Sequence, residues 1–443
     1  MKKICLILIL LLSLLLVGCL QNKDIIYKES DLIKDSSAKQ TTPTDTKSST
    51  NGKTDTKEDI ITKTDTKKDT STQTIDKISL WTGTTKLRGA NIWQRKVYPK
   101  IDGANYLGSG AVGPPYTQAD FNKLAKLGAN LVIISHPGIY TEKAPFQVDK
   151  KVEANLHQLI QMISKANLFV VIAYRTGPGR SAFTFYQDEV GDWFTKDMVD
   201  ESVWTSKEKQ QAWADMWKYT AQKYKNNPAV VGYHLMVEPN SNEYKLDEWD
   251  PEEFEEKYKN TLYDWNQFYP KIVKAIRTVD STTPILVGAN GYSSAEWLQY
   301  LKPTTDKKTV YVVHQYVPVS YTHQYSDELV SYSSKIKLNS LFQKINKFKN
   351  KHQVPVAITE FGIKRWSLKA NQYMEHHLTL NEQYGFNHVL WQYHSSWKPF
   401  VENNDFNFLF GPNPKNHKEV DNKLLQVIKK NWGKNTIKPT NFN

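Results

Sequence analysis

From Lys86 onward, short runs of apolar, β-favouring residues alternate with stretches whose apolar positions recur at helical spacing. The runs predict strands at Leu87–Ile92, Asn130–Ser135, Leu168–Tyr174, Val230–Met236, Pro284–Gly288, Thr309–Tyr316, Val354–Thr359 and His388–Trp391. Several are continuously apolar, as strands covered on both faces are. The stretches between them predict helices at Gln118–Leu127, Val152–Ala166, Ser206–Tyr224, Pro251–Arg277, Ser326–Phe348 and Leu368–Tyr384. Asp250-Pro251 is a helix start, and Gly128 and Asn167 are helix stops. Eight β/α units within residues 80–434 predict an α/β architecture, a (β/α)8 TIM barrel with long loops. A doubly wound sheet would carry a glycine-rich turn after its first strand. Here Trp93-Gln94-Arg95 follows instead. The stretch GSGAVGPP (Gly108–Pro115) follows no predicted strand and opens no predicted helix, so it is not read as a nucleotide loop.

The N-terminal part has a different pattern. Lys2 and Lys3 precede an apolar run from Ile4 to Val17, short for a membrane span and suited to a signal peptide. It ends Leu16-Val17-Gly18-Cys19, which resembles the bacterial lipoprotein box and implies a lipid anchor on Cys19. Residues 1–18 are thus expected to be a signal peptide. Residues 19–79 are expected to form a disordered tether, because Thr-Asp-Thr-Lys recurs at Thr44, Thr54 and Thr64 with no apolar face to bury. The barrel domain is expected over 80–434, followed by a tail, 435–443. The expected address is the cell envelope, outside the cytoplasm.

Charge and cysteine count narrow the chemistry. The chain of 443 residues carries a net charge of +12, and residues 1–79 hold 13 Lys against 11 Asp plus Glu. The folded part therefore holds the remaining +10 (12 − 2). No RNA- or DNA-binding motif accompanies that charge, so no nucleic-acid partner is expected. The two cysteines are Cys5, in the discarded peptide, and Cys19. With Cys19 lipidated, thiol catalysis and thiolate metal sites are excluded. Glu375-His376-His377 hints at a metal, but adjacent helical residues point apart, and the trio reads as a solvated helix face. No cofactor or metal is expected, and the chain is expected to be a monomer.

In a barrel, residues at the C-terminal ends of the strands face the active site. Glu238 follows the fourth strand and Glu360 the seventh. His314 and Tyr316 end the sixth, and Trp391 ends the eighth. Two carboxyls on one barrel face suit glycoside hydrolysis, one as proton donor and the other as nucleophile. Residues 87–397 resemble the family 5 glycoside hydrolases, a retaining (β/α)8 group that includes endoglucanases and mannanases. The matching motifs are Leu87-Arg88-Gly89-Ala90-Asn91, Gly128-Ala129-Asn130, Glu238-Pro239, His314-Gln315-Tyr316 and Ile358-Thr359-Glu360-Phe361-Gly362, with Trp391 as the aromatic platform. The resemblance implies Glu238 as acid/base and Glu360 as nucleophile. It also implies sugar-binding roles for Arg88, Asn91, His314, Tyr316 and Trp391, and a β-glucan or β-mannan substrate.

The departures concern polar partners. Val237 stands where the family places Asn, Ile133 where it places Arg, and Ala173-Tyr174-Arg175 where it often has a His-bearing motif. Arg175 is expected to replace the missing arginine, with His136 or Asn240 filling part of the polar gap. Without Asn at 237, a sugar substituted at its 2-position, or read there by another loop, is also expected to fit. Other aromatics in loops after strands could stack on sugars: Trp93, Tyr140, Trp193, Trp204, Tyr292, Trp366 and Trp397. Trp213 and Trp217, four apart on a helix, read as core. Two competing functions remain open. One is a carbohydrate-binding lipoprotein on a catalytically weak or inactive glycosidase fold. The other is a barrel hydrolase acting on a glycolipid or cell-wall glycan.

Overall fold

The eight apolar runs become β1 (Arg88–Trp93), β2 (Leu131–His136), β3 (Phe169–Tyr174), β4 (Val230–His234), β5 (Ile285–Gly288), β6 (Thr309–Gln315), β7 (Val356–Phe361) and β8 (Asn387–Leu390). Each pairs in parallel with its neighbours in sequence, and β8 pairs with β1 to close the barrel. The computed structural model describes residues 76–98, 110–113, 115–184, 195–327, 329–332, 335–393 and 405–442, all within the unit Thr74–Asn443. Cys19, Trp193, Trp397 and half of the loop after β1 lie outside the described residues.

The strands are apolar on both faces because each face meets a different core. Leu131 and Ile133, Phe169, Val171 and Ala173, Val310 and Val312, and Ala357 fill the barrel interior together with Val237. The alternate residues Val132, Ile134, Val170, Ile172, Val313 and Ile358 pack in a second cluster with the surrounding helices. A short helix, Ser79–Thr82, closes the floor. Its Trp81 is buried in the interior cluster and donates from Nε1 to the Val231 carbonyl at 2.9 Å.

The longer helices among the described residues are α1 (Gln118–Lys126), α2 (Lys150–Lys165), α3 (Lys207–Tyr224), α4 (Pro251–Tyr258), α5 (Trp265–Arg277), α6 (Lys335–His352), α7 (Ala370–Tyr384) and α8 (Lys423–Trp432). Side chains define several starts: Asp149 accepts from two amides of α2, Ser206 from one of α3, and Asp250 from two of α4. The helix expected over Pro251–Arg277 is two helices. Asn260 takes the left-handed conformation (φ +63°), and Asp264 caps a fresh start by accepting from the Asn266 amide. The helix expected from Ser326 begins at Lys335. Helix α8 was not anticipated; it buries Leu424, Leu425, Ile428 and Trp432. Residues beyond it pack on the barrel base: Asn435 bonds Arg88, and Phe442 meets Phe169 edge-on at 5.7 Å. Among the described residues, no helix is long and apolar enough to cross a membrane.

Gly89 lets β1 lie against β2. A Cβ there would sit 1.8 Å from the Leu131 carbonyl oxygen, a backbone atom that cannot swing away. Gly89→Ala is expected to destabilise the barrel by about 3 kcal/mol, at the upper end of overpacking costs. Urea denaturation of the two proteins measures it.

Candidate active site

An apolar strand run delivers the first carboxylate. After β4 the chain stays extended through Leu235 and Met236, whose side chains are buried. Trp213 and Trp217 of α3 both donate to the Leu235 carbonyl, at 3.1 and 2.7 Å, and anchor the strand exit. Glu238 then turns into the left-handed region (φ +53°), which is costly for a residue with a Cβ. Glu360 comes from inside β7, in register with His314 of β6 just past an irregularity in that ladder.

The carboxyls meet around one imidazole. His314 Nδ1 lies 2.9 Å from Glu238 Oε1 and 3.4 Å from Glu360 Oε2. One ligand atom from each of these three residues falls within 4.8 Å of the others. Such a trio could hold a divalent ion, but a cation is already built in. Arg175, just past β3, places Nη1 3.7 Å from Glu238 Oε2 and Nη2 3.6 Å from Glu360 Oε1. Its guanidinium also lies 5.7 Å from the Trp93 ring and 5.3 Å from the Trp391 ring, and its Nε donates to Ser135 Oγ at 3.0 Å. Tyr316 Oη donates to Glu360 Oε2 at 3.1 Å.

Burial is the largest influence on both carboxyls, and it is answered differently at each. At Glu238 it is outweighed by the hydrogen bond and charge of His314 and by Arg175 and Arg180, so the group ends below the usual range. At Glu360 burial, joined by the facing charge of Glu238, outweighs the pull of His314, Arg175 and Tyr316 and leaves the group at about 7. The pair therefore keeps one proton into the neutral range.

Other expected site residues fall elsewhere. Arg88 is corrected: as the first residue of β1 it sits at the base of the barrel. There its Nε and Nη2 each reach a Glu382 oxygen at 2.7 Å. Asn91 is buried and braces backbone, donating to the carbonyls of Thr359 (2.8 Å) and Leu390 (3.2 Å), the residues just before Glu360 and Trp391. His136 points away from the barrel interior to Asn155 of α2, with Nε2 and Oδ1 3.0 Å apart, and burial lowers its pKa to about 4. Asn240 accepts from Arg180 Nη2 and donates to Glu243. Neither fills the gap at Ile133 and Val237, whose side chains stay in the apolar interior.

Among the loop aromatics, Trp204 is core and Tyr292 bonds Glu243 and stacks on Trp249. Trp366 donates to the Gln324 carbonyl. His376 bonds Tyr332 while His377 is buried and stacks flat on Phe361 at 4.1 Å, so the two histidines point apart, but at His377 the expected solvated face is core.

The reading of the sequence missed Ser135, Arg180, Glu201 and His234. His234 lies beneath the site with its ring 5.8 Å from that of His314. Burial, then the charges of His314 and Arg175, push its pKa well down. A lone polar residue inside an apolar strand run was its visible signal.

A closed parallel barrel with a carboxyl pair at the C-terminal mouth, bridged by a histidine and an arginine, is the layout of a barrel glycosidase. Residues 88–396 match the family described as "Cellulase (glycosyl hydrolase family 5)", and the chain belongs to that family. It is 23% identical over 240 residues to Endoglucanase C of Acetivibrio thermocellus, a match covering 52% of this chain and 60% of that one. It is also 30% identical over 112 residues to Endoglucanase 3 of Fibrobacter succinogenes, covering 25% of this chain and 15% of that one. The chain thus spans about 60% of the length of the first of these relatives. The fold is shared with endoglucanase Cel5A from Thermotoga maritima at 18% identity and a TM-score of 0.56, covering 80% of this chain and all of that one. It is likewise shared with the cellulose synthase subunit Z of Clostridioides difficile at 15% identity and a TM-score of 0.54, covering 77% and 99%.

Proposed function

We propose that this protein is a retaining glycoside hydrolase that cleaves β-linked polysaccharide of the glucan or mannan class. The observation that carries the reading is the close approach of Glu238 and Glu360, with ligand oxygens within 4.8 Å across His314. Retaining enzymes hold their carboxyl groups about 5–5.5 Å apart, whereas inverting ones leave about 6.5–9.5 Å for a water. In the first step Glu360 attacks the anomeric carbon while the Glu238 carboxyl gives its proton to the leaving oxygen. The glycosidic C–O bond breaks as the glycosyl ester forms. In the second step Glu238 takes a proton from water, the water oxygen displaces Glu360, and the sugar leaves with its configuration retained. The free site keeps its proton on Glu360, while the first step needs it on Glu238. One proton shared across His314 serves both arrangements, and Tyr316 and Arg175 favour the ionised nucleophile.

Activity then needs a singly protonated pair, which fixes the pH dependence. Raising pH through about 7 removes the remaining proton, and lowering it below the usual carboxylate range adds a second, on Glu238. A bell-shaped kcat/KM profile is expected. A rate that still climbs at pH 9 would contradict the shared proton.

The substrate class draws on the relatives. The two sequence relatives named above are endoglucanases, and Thermotoga maritima Cel5A has been solved with cellobiose and with mannotriose. Reducing-end release from β-glucan, β-mannan, xylan and chitosan, with the product anomer read by NMR, tests both halves of the reading. Release of the β-anomer first supports it, and an α-anomer first overturns retention. Polymer binding without release would favour the inactive binder, a reading that the apolar Val237 and Ile133 support. The same proposal includes a lipid anchor at Cys19. Cys19→Ser is expected to move the protein from the membrane fraction to the medium.

A further inference from the structure

Glu238 holds an unfavourable backbone conformation, so something must impose it. Pro239 follows it and offers no amide for a stabilising turn. The two peptide planes flanking the Glu238 Cα are instead gripped through their carbonyls by one side chain. Arg180 Nη1 donates to the Val237 carbonyl at 2.8 Å, and Nη2 donates to the Glu238 carbonyl at 2.7 Å. The second hydrogen on Nη1 goes to the Arg175 carbonyl at 2.9 Å, and the second on Nη2 to Asn240 Oδ1 at 3.1 Å. All four terminal donors are used, in the fixed planar fork that only arginine presents.

The clamp is itself held rigid. Arg180 closes a tight turn with Gly177, each amide donating to the other's carbonyl at 2.9 Å, with Gly179 at φ +68° between them. The Arg180 side chain is fully buried, and its Nε lies 3.8 Å from the equally buried Glu201. Trp204 Nε1 fixes that carboxylate at 3.0 Å. The charge is therefore balanced behind the fork while the fork faces the backbone.

We infer that Arg180 is the positioning residue of Glu238: by fixing the peptide planes on both sides, it aims the acid/base carboxyl at the leaving oxygen. Through the Arg175 carbonyl the same guanidinium ties the exit of β3 to the exit of β4. The residue that bridges the carboxyls and the residue that donates the proton are thus set by one group. This inference rests on Glu238 being the acid/base.

A misaimed acid matters in proportion to how much the leaving group needs a proton, and a merely structural lesion does not discriminate in this way. The test measures kcat/KM on aryl β-cellobiosides or β-mannobiosides with phenol and 2,4-dinitrophenol leaving groups. It compares wild type, Arg180→Lys, Arg180→Gln and Glu238→Gln. The lysine keeps the charge without the fork, and the glutamine leaves no unpaired charge if Glu201 takes up a proton. In the Arg180 variants the phenyl substrate is expected to fall about 100-fold and the dinitrophenyl substrate less than about 5-fold, the contrast that a lost general acid produces. Azide is expected to raise kcat on the dinitrophenyl substrate, where breakdown of the glycosyl ester limits turnover, since it attacks that ester without needing a base. Equal losses on both substrates would overturn the inference, as would loss of the fold in both Arg180 variants. A Glu238→Gln variant without leaving-group dependence would instead overturn the acid/base reading. Dependence in Glu238→Gln but not in the Arg180 variants would overturn the inference alone.

Discussion

Glu360→Gln is expected to reduce hydrolysis by about 10⁴-fold or more, the scale of losing a nucleophile that forms the covalent intermediate. The amide has nearly the shape of the carboxyl and can still accept from Tyr316 Oη, which lies 3.1 Å from Oε2. It gives up a charge that burial already opposes and loses attraction to Arg175 Nη2 at 3.6 Å. These changes offset, so stability should stay within about 1 kcal/mol of wild type. Reducing-end release together with a thermal melt separates chemistry from folding. A folded variant that keeps a tenth of the activity would remove Glu360 from the nucleophile's role.

Arg175→Met is expected to lower kcat/KM by about 10²–10³-fold, the scale of removing one preorganised electrostatic group. Methionine can still fill the space between Trp93 and Trp391, so packing there is largely kept. What disappears is the guanidinium charge placed within 3.7 Å of both carboxyls. Without it the two negative charges repel more strongly, and the pair binds its last proton more tightly. The alkaline limb of the pH profile should therefore move upward from its place near about 7. A folding defect alone would lower the amount of active enzyme and leave the limb where it was. A drop in rate with an unmoved limb would show that Arg175 does not govern the shared proton.

The barrel was legible because its strands are apolar on both faces, and that pattern survives without any knowledge of contacts. The carboxyl pair was legible for a related reason: a charged residue at the end of a buried run has to face something functional. Arg88 was misplaced because a motif says nothing about which end of a strand a residue occupies. It opens β1, and five steps of about 3.3 Å each put it roughly 17 Å from Trp93 at the mouth. His136 could have been read correctly from strand alternation. With Ile133 in the interior cluster and Ser135 bonded to Arg175, the next residue has to face outward, toward Asn155. The break within Pro251–Arg277 depends on one left-handed residue, Asn260, in a stretch whose spacing is otherwise helical. Arg180 was out of reach of pattern reading. Its role depends on carbonyls 57 and 58 residues away in the chain, and nothing in Gly177-Pro178-Gly179-Arg180 announces them.

The central claim is that Glu360 bonds covalently to the sugar while Glu238 manages the proton. The measurement that tests it most directly is mass spectrometry after incubation with a 2-deoxy-2-fluoro-β-glycoside carrying a good leaving group. The fluorine slows breakdown of the glycosyl ester, so the intermediate accumulates. The account predicts a protein heavier by one fluorosugar, with the label on the peptide that contains Glu360. A label on Glu238, or an unlabelled protein that still turns over its natural polymer at full rate, would contradict it.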